Sequence, residues 1–213
     1  DIAQGARDPV SGTVVVMEVA RVLAGVGDRL DRTVRFVIYS NEEVGLFGSI
    51  TDARLHRAEL PKVRFMLNLD AAGRGGRKGI LLHKWPELEE FFRGVGKEVG
   101  GDFPVGQRLA QFSDHFSYLL EGVATGSLGD AEGPPSSGRG FGHTLWDTVD
   151  KTRLVDMREA TAAAARIALR VSNAARWPAQ QRGKEAIRKL LDTEPDFEQY
   201  RLTEQLVARH GDG

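Results

Sequence analysis

No cysteine occurs in the 213 residues. That absence removes disulfides, thiolate metal sites and cysteine nucleophiles. A metal ion would have to be held by His, Asp and Glu, which points to zinc, manganese or magnesium and away from an iron–sulfur cluster. A surplus of charge is also lacking. Lys and Arg number 29 against 30 Asp and Glu, for a formal net charge of -1, so nothing electrostatic attracts nucleic acid or an anionic membrane. Long apolar runs are absent as well: the longest, around "TVVVM", falls far short of the roughly 20 residues of a membrane span. There is no initiator Met and no leader at the start, where Asp1 stands in polar sequence, so the chain is expected to be processed or part of a longer protein. The hydrophobic fraction of 41% is still that of a globular chain with a real core.

What is present alternates. Residues 12–27 carry Val15, Val19, Val22 and Leu23 on one stripe, which predicts a helix capped by Ser11 and ended by Gly25 and Gly27. "TVRFVIYS" (33–40), "KVRFMLNLD" (62–70), "KGILLH" (78–83) and "GVATGSL" read as strands, the first two apolar on both faces as buried parallel strands are. Helices are expected in "LFGSITDARLHRAEL", "PELEEFFRGVGKEVG", "SDHFSYLLEG" and the alanine-rich "RLVDMREATAAAARIALRVSN". The alternation predicts an α/β fold with a mostly parallel central sheet and helices on both faces. Residues 1–174 read as one domain, and the charged remainder, 175–213, as a helical extension of two amphipathic helices divided near Pro195. The glycines of "AAGRGGRKG" (71–79) lack the GK[ST] ending of a phosphate loop and precede a strand, so a hairpin turn is expected there. "GDAEGPPSSGRGFG" (129–142) reads as a flexible loop that shapes a pocket.

The acids lie at the strand ends. Strand 33–40 runs into Asn41, Glu42 and Glu43; strand 62–69 runs into Asp70; Asp8 precedes the first helix; His143 follows the last strand. In open α/β sheets the carboxyl ends of the strands are where sites form. Each signal alone is ordinary, since acid pairs are commonly solvated and an Asp after a strand commonly caps a turn. Together, carboxylates that close would repel and raise one another's pKa. A divalent cation relieves that, and oxygen ligands with an imidazole suit zinc. One glutamate would face the metal while its neighbour, uncoordinated, takes a proton from water.

"GARDPVSG", "EEVGLFGS", "NLD", "SDH" and "GHTLWDT", in this order, resemble the co-catalytic zinc exopeptidases: family twenty-eight of the metallopeptidases, which includes aminopeptidases and the plasma glutamate carboxypeptidase subgroup. The resemblance runs from Asp1 to about Asn173. It implies a zinc-exopeptidase, phosphorylase/hydrolase-like three-layer fold and hydrolysis of a terminal peptide bond, most simply as an aminopeptidase acting on peptides. It implies Asp8 as the aspartate bridging two zinc ions, Glu42 as general base, Glu43 and His143 as ligands of one metal, and Asp70 as ligand of the other. The family's further histidine, in an H-x-D stretch, would fall before Asp1, so the chain is expected to be an N-terminally truncated, C-terminal part of the fold. It is therefore expected to hold at most one well-occupied zinc and to expose a sheet edge open to self-association, as the C-terminal helices also are. The family's habit favours a secreted or periplasmic setting. Two alternatives stand: a glutaminyl cyclase-like acyltransferase on the same fold, and a metal-free interaction domain.

Relatives place a second acid after the bridging aspartate through a cis bond. Here Pro9 follows Asp8, and a cis bond before proline is favourable by comparison, so Asp8–Pro9 is expected to be cis. Within "SDH", Ser113 is not expected to be a nucleophile, and His115 reads as orienting backbone or a carboxylate as readily as touching substrate. Asp147 is expected to steady His143 or its loop. His56, His83 and His210 are expected at the surface.

Overall fold

The protein, in a computed structural model, is described over residues 3–99, 103–129 and 140–194. Helix α1, Val10–Ala24, forms where Val15, Val19 and Leu23 fall on one side, and all three are buried. Ser11 does not cap it. Its hydroxyl donates to the Arg7 carbonyl at 2.5 Å and accepts the Gly73 N–H at 3.0 Å, tying the start of α1 to a distant turn. The other helices are α2 Phe47–Leu55, α3 Glu89–Val99, α4 His115–Leu120, α5 Leu154–Asn173 and α6 Lys184–Asp192.

Among the described residues four strands, β1 Met66–Asn68, β2 Gly79–Leu82, β3 Val105–Gln107 and β4 Thr125–Gly129, form one sheet in the order β1-β4-β2-β3. β1 with β4 and β2 with β3 are parallel; β2 with β4 is antiparallel. Because β4 lies between β1 and β2, the glycine-rich 71–79 stretch is a crossover and not the expected hairpin turn. β3 carries no signal in the sequence: three residues with a central glycine show neither alternation nor an apolar run.

Side-chain alternation along β1 builds the layers. Phe65, Leu67 and Leu69 pack with the core of α1, α3 and α5, while Met66 packs with Ala53, Leu60, Tyr118 and Val123 on the opposite face. Ile80, Leu82, Trp85, Leu88 and Phe92 are fully buried, and each such side chain contributes about 1.5–3 kcal/mol. Ile187 and Leu191 of α6 join Leu46, Leu109, Phe116 and Leu119, so this part of the 175–213 region packs onto the domain. The second helix expected after Pro195 and most of the 129–142 loop lie outside the described residues.

Residues 33–40 depart from expectation. Residues 33–39 are in no strand, and their backbone makes no hydrogen bond to another described residue. Side chains hold the segment instead: Val34 packs on the main core, Arg35 pairs with Asp52, and the Tyr39 hydroxyl donates to that of Tyr118 at 2.8 Å. β1 ends the sheet, and between it and residues 37–39 lies a cleft of about 330 Å³ floored by Gly12, Thr13 and Val16 of α1. Apolar, β-branched sequence makes a strand only where a neighbouring edge supplies its hydrogen bonds, and this segment faces the cleft.

Candidate metal centre

Four chain segments deliver the acids and the histidine. Glu42 and Glu43 stand in the turn after residues 33–39, where the Glu42 carbonyl accepts the N–H groups of Gly45 and Leu46, both 3.0 Å away. Asp70 follows β1, Asp8 precedes α1, and His143 lies before α5. Left-handed backbone recurs here: Asn41 (φ 57), Ala71 (φ 48) and His143 (φ 62) are not glycines. Non-glycine residues avoid this region, and such exceptions cluster at sites that need a side chain aimed out of the regular path. Gly12 shows how tightly the segments meet. A Cβ there would lie 1.9 Å from the Leu69 carbonyl oxygen, so only glycine lets α1 press Asp8 against the Asp70 turn. The Asp8–Pro9 bond is cis, as expected.

Asp8, Glu43 and His143 each offer a ligand atom, and these atoms lie within 4.8 Å of one another, the only such group among the described residues. His143 Nε2 is 3.1 Å from Glu43 Oε2 and 4.0 Å from Asp8 Oδ2. Asp70 is outside this trio but close to it. Burial first, then the Asp8 charge, push its pKa up to about 6. Glu42 lines the cleft, and burial followed by the charges of Asp70, Glu43, Asp114 and Asp8 pushes its pKa up to about 8. Two carboxylates and an imidazole match the three protein ligands of a catalytic zinc. The buried Asp70 Oδ1 has no hydrogen-bond partner, as befits an atom placed for a cation.

Several contributors were not legible as such. Arg74, from the glycine-rich crossover, pairs with Asp8 Oδ2 at 2.8 Å and already supplies positive charge to the cluster. Asp147 is completely buried, and its carboxylate accepts the backbone N–H of Arg7 at 2.7 Å and of Asp8 at 3.1 Å. It thus anchors the loop carrying Asp8, where the sequence suggested support for His143 or its loop; the H-T-L-W-D spacing identified the residue but not this partner. Ser113 donates to Asp70 Oδ2 at 2.9 Å and accepts from Asn68 Nδ2 at 2.8 Å, which agrees with a hydrogen-bonding role and not a nucleophile. His83 corrects an expectation. It is fully buried, stacked on His115 with ring centroids 3.7 Å apart. His56 is partly exposed, and His210 lies outside the described residues.

Comparison with known proteins decides the family, for the sequence model of Peptidase family M28 matches residues 1–168. The chain belongs to Peptidase family M28. Aminopeptidase YwaD of Bacillus subtilis (strain 168) is 39% identical over 80 residues, which are 37% of this chain and 17% of that protein. The crystal structure of a Peptidase M28 precursor from Shewanella amazonensis SB2B superimposes with a TM-score of 0.71 at 26% identity, over 86% of this chain and 41% of that one. The Bacillus subtilis zinc aminopeptidase BSAP shares the fold with a TM-score of 0.66 at 23% identity, over 86% of this chain and 46% of that one. The chain therefore spans less than half the length of these relatives. An α/β sheet flanked by helices is the M28 architecture they share with it.

Proposed function

We propose that the chain carries the catalytic part of a zinc-dependent aminopeptidase, which hydrolyses the peptide bond after a free amino terminus. The observation that carries this is the convergence of Asp8, Glu43 and His143 within 4.8 Å, with Glu42 beside them. On this reading residues 1–174 form the catalytic unit and 175–213 a C-terminal extension.

Asp8, Glu43 and His143 would hold a zinc ion, and Asp70 with Asp8 a second, weaker position. Zinc, when bound, polarises the scissile carbonyl and lowers the pKa of water toward neutrality. Glu42 is kept out of the ligand trio, with its carboxylate in the cleft. It accepts the proton of the attacking water and returns it to the departing amine nitrogen. Burial, the largest cause of its raised pKa, does not depend on the neighbouring carboxylate charges that a cation would neutralise, and a carboxyl held above the ordinary range suits a group that both takes and gives a proton. Glu42, Asp70 and Asp114 line the cleft, and carboxyl oxygens, which accept hydrogen bonds, favour a substrate's ammonium end over its carboxylate end.

The test is zinc stoichiometry together with turnover of an aminoacyl-anilide, on this chain and on its Glu42→Gln variant. Glu42→Gln is expected to keep its zinc and lose about 10²–10⁴-fold in turnover. Undiminished turnover would remove Glu42 from the mechanism; a chain that binds no zinc in either form would remove the metal centre.

A further inference from the structure

Two buried imidazoles have no part in the mechanism above. His83 and His115 are 0% and 1% exposed, and their rings stack at 3.7 Å with an interplanar angle of 19°. Two stacked cations in an apolar interior would repel and lack solvation, and burial holds both rings below the usual histidine pKa, His115 at about 4. Neutral at physiological pH, each ring has one donor nitrogen and one acceptor.

The partners of His115 settle which is which. Its Nε2 lies 2.9 Å from the Ala110 carbonyl oxygen, an atom that only accepts, so Nε2 carries the hydrogen. Nδ1 is then an acceptor and faces Asn68 Nδ2 at 3.4 Å. The same Asn68 amide nitrogen donates its other hydrogen to Ser113 Oγ at 2.8 Å. Ser113, having accepted, is left to donate to Asp70 Oδ2 at 2.9 Å. The chain of donations runs one way, and at its end Asp70 Oδ1 remains without a protein partner. His83 fixes the plane of the stack through contacts from its Nδ1 to Thr125 Oγ1 at 2.9 Å and from its Nε2 to Ser127 Oγ at 3.3 Å.

We propose that His115 is a positioning residue for the metal centre: its Nε2–H tautomer, locked by the Ala110 carbonyl and by stacking on His83, forces Asn68 and Ser113 to donate toward Asp70, so that Asp70 keeps Oδ1 for a cation. If the acceptor at Nδ1 is removed, nothing prevents the Asn68 amide from flipping. Its oxygen then faces Ser113, the serine hydroxyl turns to it, and Asp70 loses the bond that orients it. The proposal rests on Asp70 acting as a metal ligand.

Two substitutions separate this role from packing. His115→Phe keeps the ring and its stack but has no acceptor. His115→Asn loses the ring but can present an amide oxygen where Nδ1 was. Zinc titration is expected to show the binding step that involves Asp70 weakened about 10–100-fold by His115→Phe and largely restored by His115→Asn. The reverse order, or equal losses from both, would mean that His115 only fills space and would overturn the proposal. A second measurement needs neither metal nor variant: long-range ¹H–¹⁵N spectra of the unsubstituted, metal-free protein at pH 7 should show His115 neutral with the hydrogen on Nε2. An Nδ1–H tautomer or an imidazolium would overturn the direction of the chain even if zinc binds as proposed. Absence of zinc binding with the expected tautomer would instead count against the metal centre itself.

Discussion

The two sides of β1 reach different states, and not the ones their sequences favour. On one side β4, β2 and β3 complete a hydrogen-bonded sheet whose Ile80 and Leu82 are wholly buried. On the other, residues 33–39 are richer in β-branched and aromatic residues than any of those strands, yet their backbone pairs with no other described residue, and Phe36 and Ile38 are 40% and 57% exposed. Propensity thus favours the unpaired side while pairing and burial favour the other, and the second pair of terms holds a strand in place. The candidate metal centre straddles this divide. Glu42 and Glu43 hang from the unpaired segment, whereas Asp70, Ser113 and Asn68 belong to the paired, buried side.

The sharpest way to break the comparison is amide exchange. The N–H groups of Ile80 to Leu82 are expected to be protected about a thousandfold or more relative to those of Val34 to Tyr39, because only the former need unfolding to exchange. Comparable protection would show that residues 33–39 are paired after all. Truncation should follow the same line. Ile80→Ala, at a fully buried central position, is expected to lower stability by about 2–5 kcal/mol, and Ile38→Ala by no more than about 0.5 kcal/mol, both read from denaturant midpoints. Equal losses would erase the distinction between the two sides.

Asp147 sharpens how the halves are joined. Its carboxylate takes two backbone N–H groups at the Asp8 loop while itself excluded from solvent. Asp147→Ala leaves those donors unpaired and should cost about 2–4 kcal/mol, with weaker zinc binding measured in parallel, because the Asp8 loop loses its anchor. A variant of unchanged stability and zinc affinity would show the loop to be held elsewhere.

A further effect is one of pH. Glu42 and Asp70 are raised from ordinary values of 4.5 and 3.8 to about 8 and about 6. A group that binds its proton more tightly when folded contributes stability below its unfolded pKa and loses it as pH rises through its folded pKa. Metal-free protein should therefore lose stability between about pH 4 and pH 8 on account of these two carboxyls, and Glu42→Gln should flatten the part of that decline between 6 and 8. The buried histidines act with the opposite sign. Their lowered values mean stability present above the usual pKa of 6.5 and lost as pH falls through about 4 for His115. Thermal midpoints against pH for the parent and Glu42→Gln, in chelator, would read both; parallel curves would refute the Glu42 contribution.

Much of this was written in the chain. Apolar spacing gave α1 and α5 to within a few residues, because a helix closes its hydrogen bonds within itself and needs only a buried stripe. The position of acids after apolar runs marked Glu42, Glu43 and Asp70, and motif order added Asp8 and His143. Less legible was everything that depends on a partner far along the chain. That β3 exists, that 71–79 crosses β4 and does not turn back, and that Arg74 reaches Asp8 are set by edges and charges far along the chain or by strand order. His83 looked like a surface histidine because a buried, neutral imidazole differs from an exposed one only in its surroundings.

By itself the sequence determined which segments coil, which are apolar enough to be extended, and which residues could bind a metal, since those properties are local to a few residues. Tertiary structure alone decided which extended segments became strands, which carboxylates share a cluster, and which way the hydrogens point from His115 to Asp70. The reason is physical: pairing, burial and hydrogen-bond direction are properties of two groups brought together, and no single residue carries them.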